Sequence, residues 1–223
     1  KNASKLVRIY VSVDSTIHFH SLGFNMQAIK LKSLFLSLAS TSLLLVLSCN
    51  VQAKTDTVML AGGCFWCVEH DFAKIAGVLA VESGYTGGTV ANPSYEQVSS
   101  KKTNHFEAVK ISFDDSKVSL KALTDFYWRS IAPTDAAGQF CDKGTPYKTA
   151  LFYQNDAQKQ VFEQSLAELN KSKPFSADIV TEILPAKPFY LAEDYHQDYA
   201  ARNPLRYSYY RGSCGRDLRL QSL

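Results

Sequence analysis

The stretch Gly62-Gly63-Cys64-Phe65-Trp66-Cys67-Val68-Glu69 constrains this chain more than any other. It follows a short apolar run, Thr57-Val58-Met59-Leu60-Ala61, that reads as a strand. It opens a segment whose apolar spacing (Phe65, Val68, Phe72, Ile75) reads as a helix. The two glycines allow a sharp turn between them. A cysteine at such a turn meets unpaired backbone N–H groups and the positive end of the helix dipole, which favour an anion. The thiolate is the reactive form of cysteine, so the position suits a nucleophile. Two large aromatics follow directly and offer the thiol an apolar wall.

The 223 residues, 46% of them hydrophobic, suffice for one domain with a substantial core. The formal charge of +3 misleads. Residues 1–53 hold five basic residues (Lys1, Lys5, Arg8, Lys30, Lys32) and one acid (Asp14), so the rest of the chain carries a net −1. A near-neutral body gives no support for a nucleic-acid partner. The first methionine is Met26; Lys30 and Lys32 follow, and Leu34 to Leu47 is almost wholly apolar and uncharged. This is the plan of a secretory leader, too short and too rich in Ser/Thr for a membrane span. Val51-Gln52-Ala53 loosely fits a cleavage site, and Val46-Leu47-Ser48-Cys49 resembles a bacterial lipobox with Cys49 as the acylated residue. We therefore expect residues 1–25 to be upstream of any domain and 26–53 to be a signal peptide or lipoprotein leader. Residues 54–223 are expected to form a single catalytic domain, exported to the periplasm or lipid-anchored through Cys49.

Beyond the octapeptide, Val78 to Ser83 suggests a strand, stopped by Gly84-Tyr85-Thr86-Gly87-Gly88. Ser94 reads as the cap of a short helix, Tyr95 to Ser99. Phe106 to Phe113 alternates like a strand, and Leu120, Leu123, Phe126 and Tyr127 mark a helix that stops before Pro133. A polar loop, Ala136 to Tyr147, leads into a strand at Thr149 to Tyr153. Asp156 to Lys171 is an amphipathic helix, Ile179 to Leu184 a strand and Phe189 to Ala201 a helix. Residues 204–223, rich in Arg and Tyr, read as an irregular, flexible tail. Alternating strands and helices predict α/β or α+β layers.

Gly63-Cys64-Phe65-Trp66 resembles the active-site motif of the A-type peptide methionine sulfoxide reductases. Five further segments resemble that family in family order: Gly84 to Gly88, Asn92 to Tyr95, His105 to Val109, Gly144 to Tyr147 and Ala192 to Gln197. The resemblance implies an α/β sandwich, a mixed sheet flanked by helices in the ferredoxin-like arrangement. It implies reduction of methionine S-sulfoxide, free or in oxidised proteins under repair, with no bound cofactor; for a metal, no His/Cys/Asp spacing in the sequence forms a site. Sulfoxide reduction needs a nucleophile for sulfur and a proton for the departing oxygen. Cys64 is the nucleophile candidate, left as a sulfenic acid once the oxygen transfers. The resemblance assigns the proton to Glu107, hydrogen bonds to the oxygen to Tyr95 and Tyr147, and a place in the same polar network to Asp142. Phe65 and Trp66 would wall the S-methyl group. His105 and His196 receive supporting roles.

In the family the resolving cysteine commonly lies in a C-terminal tail, which points to Cys214 between Gly212 and Gly215. Cys67, where the commonest family pattern has glycine, and Cys141 are the alternatives. Regeneration would then use a thioredoxin-like dithiol, and a monomer is expected. The rival reading is a general CxxC thiol–disulfide oxidoreductase built on Cys64 and Cys67. A surface lipoprotein binding a soft metal through its thiols is the non-enzyme reading.

Overall fold

The computed structural model describes residues 54–221. The leader read into residues 26–53, Cys49 included, and residues 1–25 lie outside the described residues. The elements run β1 (Thr55–Gly62), α1 (Phe65–Phe72), β2 (Val78–Thr86), α2 (Tyr95–Ser99), β3 (Phe106–Asp114) and α3 (Leu120–Ser130). Two short strands, β4 (Gly138–Gln139) and β5 (Asp142–Lys143), pair as a hairpin before a 3-10 turn at Thr145–Tyr147. Then come β6 (Thr149–Tyr153), α4 (Asp156–Ser172), β7 (Glu182–Pro185), β8 (Tyr190–Leu191) and a second 3-10 turn at Asp194–His196. Three helices close the described chain: α5 (Tyr199–Arg202), α6 (Pro204–Ser213) and α7 (Arg216–Gln221).

Six strands form one sheet in the order β7-β6-β1-β3-β2-β8. Its four central strands are antiparallel, with Leu60 opposite Val109 on one side and Leu151 on the other. Two β-α-β crossovers, β1-α1-β2 and β3-α3-β6, interleave to give this order, which is the ferredoxin-like arrangement. β7 joins parallel to β6 and makes the sheet mixed. β1 is covered on both faces, so its sequence is a continuous apolar run and not an alternating one. Val58 and Leu60 face a core with Phe65, Val68, Phe72 and Tyr127; Met59 and Ala61 face a second with Phe106, Ala108 and Phe152. Each such large side chain, removed from water, contributes about 1.5–3 kcal/mol. Side chains also set the helix starts: Ser94 forms a capping box with Gln97, and Ser119 and Asn155 accept from the third residue beyond them.

Four expectations are corrected. The first helix ends at Phe72, and Gly77, at φ +97°, turns the chain into β2. The strand expected from Ile179 begins only at Glu182, where pairing with Ala150 starts. The expected helix Phe189 to Ala201 is broken into β8, a 3-10 turn and α5. Here Tyr190 pairs with the sheet edge so closely that a Cβ on Gly84 would lie 2.5 Å from its carbonyl. The segment read as an irregular tail is helical in α6 and α7. Pro204 occupies the first turn of α6, and Arg211 ties the segment down by pairing with both Asp71 and Asp217.

Candidate active site

The elbow between β1 and α1 depends on Gly63, whose φ is +84°. A Cβ there would lie 2.5 Å from Cβ of Gln139. Gln139 cannot retreat, because its amide both accepts from Ala132 N–H (2.8 Å) and donates to Ala132 C=O (2.9 Å). Cys64 is the N-cap residue of α1 and is buried, at 6% exposure.

β3 brings Glu107 beneath this elbow. Its Oε2 accepts the Phe65 N–H at 3.1 Å, the first free donor after the nucleophile. The residue is 2% exposed. Burial pushes its pKa up to about 8, against the opposing hydrogen bond from Phe65 and with help from the Asp142 charge. The carboxyl is therefore protonated at neutral pH. Tyr95 starts α2, where its N–H donates to Glu193 Oε1 (2.8 Å), while Glu193 Oε2 accepts from Tyr85 (2.9 Å). Tyr147 ends the first 3-10 turn, and Asp142 stands on β5. Burial first, then the Glu107 charge, pushes Tyr95 up to about 12 and raises Tyr147 as well, so both hydroxyls stay proton donors.

Cys64, Phe65, Trp66, Tyr95, Glu107, Asp142, Tyr147 and Tyr210 line one cavity of about 60 Å³. The structure thus brings together all seven catalytic and substrate-wall candidates of the sequence. It adds Tyr210, from the segment read as irregular; as a helix, that segment would have shown Tyr210 one turn before Cys214. Trp66 is held on three sides. Its indole N–H donates to His196 Nδ1 (3.0 Å), Tyr199 stacks on it at 3.7 Å, and Tyr210 meets it edge-on at 5.6 Å. His196 thus supports the site. His105 is structural, with Nδ1 accepting from Gly88 N–H and Nε2 bonded to Val90 C=O.

The three candidate resolving sulfurs divide. Cys141 and Cys214 form a disulfide, with Cα atoms 4.9 Å apart, while Cys64 and Cys67 are free and buried. The hydrogen bond with Cys64 and the Arg216 and Arg211 charges outweigh burial and bring Cys67 down to about 7; burial and then Cys67 push Cys64 well up. The pair gives up its first proton near neutrality and holds the second. Arg216 is a further residue that the sequence did not single out. It is 2% exposed, donates to Ser130 C=O (2.6 Å) and Gly62 C=O (3.3 Å), and lies 4.6 Å from the Phe140 ring centre. Among the described residues, Cys141, Asp142 and Cys214 group metal-ligating atoms within 4.8 Å, but with the sulfurs joined only the carboxylate is left to bind.

A family profile described as "Peptide methionine sulfoxide reductase" matches residues 56–222. Peptide methionine sulfoxide reductase MsrA 2 of Caulobacter vibrioides is 49% identical over 170 residues, covering 76% of this chain and 86% of that protein. MsrA of Bacillus licheniformis is 49% identical over 168 residues, covering 75% of this chain and 93% of that protein. The crystal structure of Mxr1 from Saccharomyces cerevisiae in reduced form matches with a TM-score of 0.64 at 34% identity, over 69% of this chain and 88% of that one. By its fold, its site and these relatives, the chain belongs to the peptide methionine sulfoxide reductase family and is an oxidoreductase of that class.

Proposed function

We propose that the chain reduces the S epimer of methionine sulfoxide, free or within oxidised proteins, through thiol chemistry at Cys64. The observation that carries this is the buried Glu107 carboxyl, held in one small cavity with Cys64 by the N–H of the next residue, Phe65, with burial pushing its pKa up to about 8. Cys64 sulfur attacks the sulfoxide sulfur while Glu107 protonates the oxygen. The oxygen then passes from the methionine sulfur to Cys64 as the S–S contact between them breaks, methionine leaves, Cys64 is left as a sulfenic acid, and the Cys64 thiol proton returns to Glu107. Tyr95 and Tyr147 donate to the oxygen, and Phe65 and Trp66 wall the methyl group. A cavity that holds the oxygen by hydrogen bonds and the methyl group by aromatic contact treats the two epimers differently, which supports a preference for one. The family resemblance assigns it as S.

Cys214 then attacks the Cys64 sulfenic acid, water leaves, and Cys141 exchanges with Cys214 to give the Cys141–Cys214 disulfide. That exchange returns Cys64 to the thiol. The disulfide is reduced by an external thioredoxin-like dithiol, which Cys141, an exposed residue, supports. A general CxxC oxidoreductase fits less well, since the disulfide joins Cys141 to Cys214 while Cys64 and Cys67 are buried free thiols. The leader pattern supports export to the periplasm or a lipid anchor at Cys49. A single chain supplies every role named above, so the reading needs no second copy and we propose a monomer.

The test follows separated S and R epimers of a blocked methionine sulfoxide with dithiothreitol, for the leaderless protein and its Cys64→Ser variant. Turnover of the S epimer alone, lost in the variant, is expected. Normal turnover by Cys64→Ser would overturn the mechanism.

A further inference from the structure

We propose that Tyr210 is a catalytic residue of the resolving step, giving a proton to the oxygen that leaves Cys64 as the tail cysteine attacks. This rests on the sulfoxide-reductase reading above and deepens it. The Tyr210 hydroxyl donates to Asp142 Oδ2, and Tyr210 lines the same small cavity as Cys64. It sits at the end of α6 on the same turn as Cys214, whose N–H donates to the Tyr210 carbonyl at 2.9 Å. The proton donor and the resolving sulfur therefore arrive together.

The first step has its own donor. Glu107, Tyr95 and Tyr147 belong to the sheet and its loops, independent of the tail. The Cys64 thiol proton restores Glu107 at the end of the first step, and the departure of hydroxide from the sulfenic acid needs a further proton at the moment the tail sulfur arrives. In the resolving step the Cys214 thiolate forms the S–S bond to Cys64, and the S–O bond breaks with its electron pair going to oxygen. Tyr210 protonates that oxygen, and water leaves. Asp142, which burial holds in its protonated form more readily than an ordinary aspartate, returns a proton to Tyr210 and is itself only partly buried, so solvent can refill it. The segment is positioned for this by the Arg211–Asp71 pair (2.9 Å) and by buried Arg216 on the Gly62 carbonyl at the elbow.

The experiment mixes fully reduced protein with one equivalent of blocked methionine S-sulfoxide and no reductant, for wild type and Tyr210→Phe. Methionine release reads the first step. Dimedone labelling of Cys64 and disulfide mapping by peptide mass spectrometry read the second. In parallel, diamide oxidation of the reduced proteins forms the Cys141–Cys214 disulfide without passing through a sulfenic acid. Tyr210→Phe is expected to slow resolution of its sulfenic acid by a factor of about 10² or more beyond any change in its own methionine-release and diamide-oxidation rates, the range of general-acid contributions. Resolution at the wild-type rate would overturn the proposal. So would an equal slowing with diamide, which would make Tyr210 a docking residue for the tail, or an equal slowing of methionine release, which would make it part of the cavity wall only. Absence of methionine from wild-type protein would instead defeat the reductase reading itself.

Discussion

Glu107 is expected to cost this protein stability at neutral pH, and Glu107→Gln is expected to recover it. Burial raises the carboxyl from the ordinary 4.5 to about 8. A folded state that keeps its proton longer than the unfolded chain has its full advantage below about pH 4.5. It loses that advantage as pH rises to about 8, because the unfolded chain has released its proton and the folded one has not. The whole span is about 5 kcal/mol, of which about 3 kcal/mol is gone at pH 7, taking 1.36 kcal/mol per pKa unit. Glutamine keeps an oxygen for the Phe65 N–H and cannot ionise. Urea denaturation at pH 4.5, 7 and 8.5 is the assay, comparing wild type and variant at the same oxidation state. Relative to pH 4.5, the variant should gain about 3 kcal/mol at pH 7 and more than about 4 kcal/mol at pH 8.5. Its sulfoxide reduction should fall by a factor of about 10²–10⁴, the worth of a general acid. A stability difference that stays flat from pH 4.5 to 8.5 would refute the reasoning.

Other perturbations have equally definite outcomes. Arg216→Met leaves the Gly62 and Ser130 carbonyls without their donor and should cost about 3 kcal/mol in chemical denaturation; it should also move the alkylation inflection of Cys67 upward from about 7. Cys141→Ser, given substrate without reductant, should stop at a Cys64–Cys214 disulfide in peptide maps, and a Cys64–Cys67 bond there would transfer the resolving role to Cys67. His196→Phe removes the acceptor of the Trp66 indole N–H, so about 1–3 kcal/mol of stability should be lost. As the methyl wall loosens, KM for the S epimer should rise more than kcat falls.

Much of the fold was legible where local signals agreed. α2 and β6 have the bounds their caps and apolar runs predict, and α4 differs by one residue. The C-terminal third was harder. Tyr190 and Leu191 carry no strand signal beyond themselves and pair only because Gly84 lets another backbone come close. α6 has polar and aromatic residues on every side, and its place is set by ion pairs to Asp71 and by the disulfide, which a sequence pattern does not display. Tyr210 was hidden among neighbouring tyrosines for the same reason.

The sequence by itself determined the strand, elbow and helix around Cys64, since glycine freedom, apolar spacing and the helix terminus are properties of neighbours along the chain. Motif order carried the remaining site candidates and the family. Only the tertiary structure decided which groups act on Cys64 and how they are charged. Glu107 reaches the Phe65 N–H across 42 residues, and Cys141 meets Cys214 across 73. Burial, which raises the Glu107 pKa and brings Tyr210 into one cavity with Cys64 and Asp142, depends on what packs over a residue, and packing is a property of the whole fold.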